Sequence, residues 1–134
     1  IKAMPIEIIV PKNNNGHCIL DYDIKKLDEE KVIAVTNSKI FNQLSILAKK
    51  AFAALGGKSL GRIDIKMNEQ GEAYFIEANL MPGLRKGYFY RACRLNLDLS
   101  YPEMILLIAR NGLALNQSYS VSNINVLETT NTYL

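Results

Sequence analysis

Histidine is almost absent from this 134-residue chain: His17 stands alone at the edge of an Asn-rich turn, with no partner motif that would make it a base or a ligand. It is read as a surface residue. Cysteine is nearly as scarce, and the two present, Cys18 in an apolar strand and Cys93 in a predicted helix, suit reduced core thiols better than a disulfide. Nothing requires an oxidising compartment. No apolar run approaches the length that spans a bilayer, and no signal peptide leads the chain. The net charge of +3 is mild, and no Lys/Arg cluster interleaved with aromatics offers a nucleic-acid surface. The expectation is a soluble cytoplasmic domain with neither nucleic acid nor membrane as partner.

What is present suits one globular domain. Hydrophobic residues make up 49% and charged residues 22%, ordinary for a packed fold, and the length allows one core. A strand around Ile6 to Val10, a turn over Lys12 to Gly16 and a strand through Cys18, Ile19 and Leu20 read as a hairpin. Leu27 to Val35 reads as a loop and a short extended stretch, its Asp28-Glu29-Glu30 run a solvated face. From Ser38, apolar residues at Ile40, Leu44, Leu47, Ala51 and Leu55 follow helical spacing until Gly56-Gly57. Further helices are predicted around Tyr88 to Arg94 and from the Ser100-Tyr101-Pro102-Glu103 capping box to Asn111-Gly112. Beyond Leu115, residues 116–134 read as a polar, loosely held tail with a short strand near Val121 to Val126.

The chemistry concentrates between residues 61 and 83. In Gly61-Arg62-Ile63-Asp64-Ile65-Lys66-Met67, alternation sends Arg62, Asp64 and Lys66 to one face of a half-buried strand. Asn68-Glu69-Gln70-Gly71 is the turn, and Tyr74-Phe75-Ile76-Glu77-Ala78-Asn79 returns. A register with Met67 across from Glu72 makes Asp64 and Glu77 diagonal neighbours, about 7–8 Å apart, with Asn79 adding an amide oxygen. Carboxylates and an amide without His or Cys suit Mg2+ or Mn2+, and an adjacent arginine suits a phosphate held by the same metal. An ordinary hairpin with an Arg62–Glu77 ion pair and a solvated Asp64 fits the pattern too, and is the commoner arrangement.

Gly-Arg-Ile-Asp-Ile-Lys, the short turn, Tyr-Phe-Ile-Glu-Ala-Asn and then Met81-Pro82-Gly83-Leu84 resemble the closing segment of D-alanine–D-alanine ligases and their relatives in the ATP-grasp superfamily. Asp21-Tyr22-Asp23-Ile24-Lys25-Lys26 is similar to that family's Asp-Tyr-x-x-Lys-Tyr element. The likeness runs from about Ala3 to about Leu113. It implies an α+β fold, a mainly antiparallel sheet of four or five strands with helices on one side: the C-terminal lobe of an ATP-grasp fold, over residues 1–115. The implied activity is ATP- and Mg2+-dependent ligation of a carboxylate to an amine through an acyl phosphate.

By the same resemblance, Asp64, Glu77 and Asn79 match the ligands of two Mg2+ ions, with Glu77 bridging. Arg62 matches the arginine on the transferred phosphoryl group and the developing oxyanion. Lys25 matches a lysine that reaches the nucleotide phosphates, Ile76 an apolar residue near the adenine, and Gly83 a loop glycine whose N–H faces the reaction centre. The family's serine that holds the second substrate's carboxylate is missing from Leu84-Arg85-Lys86-Gly87-Tyr88-Phe89-Tyr90, where Tyr88 or Phe89 stands instead. Arg85 and Lys86 offer a substitute for carboxylate capture, and Tyr88 is the aromatic chosen to line the cleft. Lys26 stands where the family commonly has tyrosine.

A complete ATP-grasp enzyme has three lobes, more than this length accommodates, and the chain begins Ile1-Lys2-Ala3. The expectation is a piece of a longer enzyme, inactive alone, whose partners are ATP, a carboxylate and an amine substrate and the missing lobes, with a homodimer left open. The alternatives are a non-catalytic nucleotide- or partner-binding remnant and an ATP-grasp phosphotransferase.

Overall fold

A computed structural model describes residues 1–10 and 31–130. The expected strand through Cys18, its turn, His17 and the Asp21–Lys26 element with Lys25 lie outside the described residues. In chain order the elements are β1 (Ile6–Ile9), β2 (Lys31–Ala34), α1 (Ser38–Ala54), β3 (Arg62–Met67), β4 (Ala73–Asn79), α2 (Tyr88–Leu97) and α3 (Tyr101–Thr130). The fold is α+β. Its strands differ from the expected single sheet of four or five: among the described residues they form two separate antiparallel pairs, β1 with β2 and β3 with β4. Alternation marks a strand but carries no record of which edge it joins, so the number of sheets was not encoded locally. α1 packs against β3 and β4, while α2 packs against β2 and α3. No described helix is long and apolar enough to cross a membrane.

α1 begins where Asn37 accepts the Lys39 and Ile40 N–H groups at 3.0 and 3.1 Å, leaving two fewer unsatisfied donors in the first turn. It ends in a Schellman motif: the Gly57 N–H donates to the Phe52 carbonyl at 2.9 Å and the Gly56 N–H to the Ala53 carbonyl at 3.0 Å. Gly56 takes the required left-handed φ of +70°. The predicted stripe is partly buried at Ile40, Leu44, Leu47 and Ala51, but Leu55 is half exposed. The deepest positions are Ser45 and Phe52, two turns apart, so the inward face is rotated from the predicted one.

Phe52 joins this helix to the β3–β4 hairpin. A methyl at Gly57 would lie 2.4 Å from its ring, and one at Gly61 would lie 2.7 Å from the ring and 3.4 Å from the Asn79 carbonyl. Glycine at these places lets backbone lie directly on the aromatic face. At the far end of the hairpin, Gln43 of α1 donates to the Gly71 carbonyl at 3.2 Å.

The β3–β4 turn is closed by Asn68. Its backbone N–H donates to the Glu72 carbonyl at 3.0 Å, its side-chain oxygen accepts the Glu72 N–H at 2.8 Å, and Gly71 supplies a φ of +79°. The Tyr74 hydroxyl and the Asn68 amide each donate to Glu72 Oε2 at 2.7 Å, which lowers the Glu72 pKa, the tyrosine contributing most, and raises that of Tyr74.

The other core residues are Ala92, Cys93 and Met104 on α2 and α3, with Cys93 a buried free thiol whose pKa is raised by desolvation. α2 runs beyond Arg94 to Leu97 and is stopped by Asp98 in the left-handed region, its carboxylate paired with Arg94. The capping-box glutamate reaches back as expected: the Ser100 N–H donates to Glu103 Oε2 at 2.8 Å. α3, however, does not stop at Asn111-Gly112. Its backbone continues to Thr130 in place of the expected strand near Val121 to Val126. One helical glycine costs only about 1 kcal/mol against alanine, and Leu113-Ala114-Leu115 resumes with good helix formers.

Gly61→Ala is expected to lower stability by about 1–3 kcal/mol through overpacking against Phe52, read as a lower urea midpoint. Adding Phe52→Leu should cost less than the two single losses summed, since the sites touch. For the turn, an NMR titration should find Glu72 below the ordinary glutamate range, rising toward it in Tyr74→Phe. Because the folded value is depressed, the Glu72 contribution is full above the ordinary range and is lost as pH falls through the lowered pKa.

Candidate functional site

The site lies on the face of β3–β4 that carries Arg62, Asp64, Glu77 and Asn79. Near the turn the register pairs Met67 with Ala73, Lys66 with Tyr74 and Ile65 with Phe75; beyond a bulge it pairs Asp64 with Glu77, Ile63 with Ala78 and Arg62 with Asn79. Ile76 is the extra residue, with no partner opposite. This corrects the expected register: Asp64 and Glu77 are directly opposed, which for antiparallel strands brings Cβ atoms to about 4.5–5.5 Å, nearer than a diagonal. The consecutive apolar residues Tyr74-Phe75-Ile76 conceal the bulge, because any of them fits either face of a thin hairpin.

Had the ladder continued unbroken from Ile65–Phe75, Glu77 would oppose Ile63, on the other face from Asp64. Skipping Ile76 in the ladder therefore puts both carboxylates and Asn79 on one surface. That surface is open, with the side chains of Arg62, Asp64 and Glu77 33%, 38% and 63% exposed.

Arg62 forks onto its strand neighbour. Its Nε–H donates to Asp64 Oδ1 at 2.8 Å and its Nη2 to Asp64 Oδ2 at 3.0 Å, while the same Nη2 lies 3.4 Å from Glu77 Oε1. The cross-strand Arg62–Glu77 pair exists, but it is the weaker partner of a two-point bond to Asp64. Asn79 Oδ1 accepts the Met81 N–H at 3.0 Å, holding its amide at the mouth of the following loop. One lone-pair direction on that oxygen stays available.

Among the described residues, no group of three or more His, Cys, Asp and Glu side chains converges to hold a metal. The donor set here is two carboxylates and an amide. That set fits Mg2+ or Mn2+, which take hard oxygen ligands and need only one or two protein carboxylates because they keep several waters.

The loop after β4 places the remaining candidates. Pro82 is buried and Gly83 exposed. A methyl at Gly83 would meet nothing within 4 Å, and its φ is not left-handed, so neither crowding by its neighbours nor backbone conformation calls for glycine there. Ile76 is 57% exposed beside the acidic pair. Tyr88 opens α2 half-buried, and Arg85 is exposed, its carbonyl accepting the Gly87 N–H at 2.7 Å.

One residue in this region was not singled out from the pattern. Tyr101 meets Tyr90 edge-on at 5.8 Å and carries the Lys86 ammonium 6.0 Å above its ring. Within the sequence, Tyr101 reads only as the start of a helix, and the partners that give it a role stand in other segments. The cation–π contact orients Lys86, one of the two basic residues of the loop before α2.

Comparison with known proteins finds relatives over much of the chain. D-alanine--D-alanine ligases of Streptococcus pyogenes serotypes M49 and M4 are each 33% identical over 88 residues, 63% of this chain and 25% of the relative. The chain thus spans about a quarter of the length of these curated relatives. No solved structure matches it. A family model described as "D-ala D-ala ligase C-terminus" matches residues 2–109, which include both strand pairs and the whole Arg62-Asp64-Glu77-Asn79 surface. The chain accordingly belongs to the family of D-ala D-ala ligase C-terminal domains.

Proposed function

We propose that this chain is the C-terminal catalytic part of an ATP- and Mg2+-dependent carboxylate–amine ligase, with residues 1–115 its ATP-grasp lobe. The observation that carries the reading is the direct opposition of Asp64 and Glu77 beside Arg62, within a family of ligase C-terminal domains. In this reading one substrate carboxylate receives the γ-phosphoryl group of ATP to give an acyl phosphate. An amine then attacks the acyl carbon through a tetrahedral intermediate and phosphate leaves.

Asp64, Glu77 and Asn79 would hold the divalent ions, whose contribution when bound is to offset charge on the phosphate oxygens. Arg62 contacts the phosphoryl group in transfer and the developing oxyanion, where a planar guanidinium matches two oxygens at once. The Gly83 N–H adds a donor toward the same oxyanion, and the open space at its Cα leaves room for substrate to come close. Ile76 offers an exposed apolar surface for the adenine, and Lys25 a cation for the phosphates. Arg85 and Tyr88 are assigned to the amine substrate. The missing serine makes an acceptor other than D-alanine the favoured choice.

In the intact protein, Glu77→Gln should weaken Mg2+ binding by at least about tenfold, since loss of even an outer-shell partner costs that much, measured by calorimetry with an ATP analogue. Arg62→Ala should reduce kcat by about a hundredfold or more, as loss of one transition-state donor does. Product analysis tests the reaction class: ADP, phosphate and a new amide support the ligase. ADP with a phosphorylated acceptor would make it a phosphotransferase, and no turnover a binding remnant.

A further inference from the structure

We infer that Arg62 is a latch on Asp64 that a divalent cation must displace, so that metal binding and delivery of the arginine to phosphate are coupled events. The inference rests on the reading of Asp64 and Glu77 as metal ligands and concerns how that site is regulated. Both Asp64 oxygens are engaged by the guanidinium, at 2.8 and 3.0 Å, and Nη2 also lies 3.4 Å from Glu77 Oε1. Three of the five guanidinium N–H groups are thus turned toward the carboxylates. An arginine so committed has its Nε–Nη2 edge closed to a phosphate and shares the Nη2 of its other edge with Glu77.

A cation placed between Asp64 and Glu77 competes for the same oxygens and repels the guanidinium. Exchange needs no backbone movement, because Arg62 and Asp64 are next-but-one on a single strand face and Glu77 stands directly opposite Asp64. The freed fork then meets an anion that the cation also attracts. In this arrangement the arginine opposes the metal when no phosphate is present and supports it when one is.

The test is Mn2+ affinity of the intact protein, followed by electron paramagnetic resonance, first without nucleotide and then with a non-hydrolysable ATP analogue. Arg62→Gln should bind Mn2+ about two- to fivefold more tightly than wild type without nucleotide, the scale of a half-exposed ion pair. With the analogue present, the same variant should bind Mn2+ more weakly than wild type. An Arg62→Gln protein that binds Mn2+ no more tightly without nucleotide overturns the latch, while the metal-site reading stands if Glu77→Gln has lost affinity. A Glu77→Gln protein with wild-type Mn2+ affinity overturns the site reading and the latch together.

Discussion

The surface that defines this protein depends on one residue being left out of a strand ladder. β4 carries Ile76 without a partner, and this bulge brings Glu77 across from Asp64 and Asn79 across from Arg62. Strand side chains alternate with a period of two, so a one-residue slip exchanges the faces completely. The acidic pair, the arginine fork and the amide all share a face because of that slip. A bulge also increases local twist, which turns the strand end, and with it the loop from Leu80 to Gly87, relative to the turn.

Such a hairpin has little stability by itself, since two strands alone are marginal in water. Here α1 supplies the support. Phe52, 6% exposed, lies against the backbone at Gly57 and Gly61, and Gly61 immediately precedes Arg62. The opposite end is tied by Gln43 to the Gly71 carbonyl. Burying a phenylalanine side chain contributes roughly 1.5–3 kcal/mol, more than the half-exposed charges of the site return to stability. The core therefore positions the charged residues, and they remain free to exchange partners.

Local chemistry was readable where it was complete within a few residues. The Asn68–Gly71 turn, the start of α1 near Ser38, its end at Gly56-Gly57 and the Glu103 reach to Ser100 each follow from neighbours along the chain. The hairpin and the identity of its polar face were legible for the same reason. Its register was not, because Tyr74, Phe75 and Ile76 are each compatible with either face and all three stay exposed in the fold. The extent of α3 is not legible at Gly112, where a single glycine is a modest local penalty and not a stop. Tyr101 gained its place over Lys86 and Tyr90 through contacts between segments, which no local pattern contains.

Sequence alone determined which side chains were available, oxygen donors and a guanidinium without histidine or thiol nearby, together with the turn and helix boundaries that present them. Family membership was carried there too, in the order of its short motifs. Tertiary structure decided that Asp64 meets Glu77 head-on, that Arg62 grips Asp64 in preference to Glu77, and that the strands among the described residues divide into two pairs. The reason is range: turns and caps are settled by bonds among adjacent residues, whereas register and ion-pair choice depend on how one element meets another.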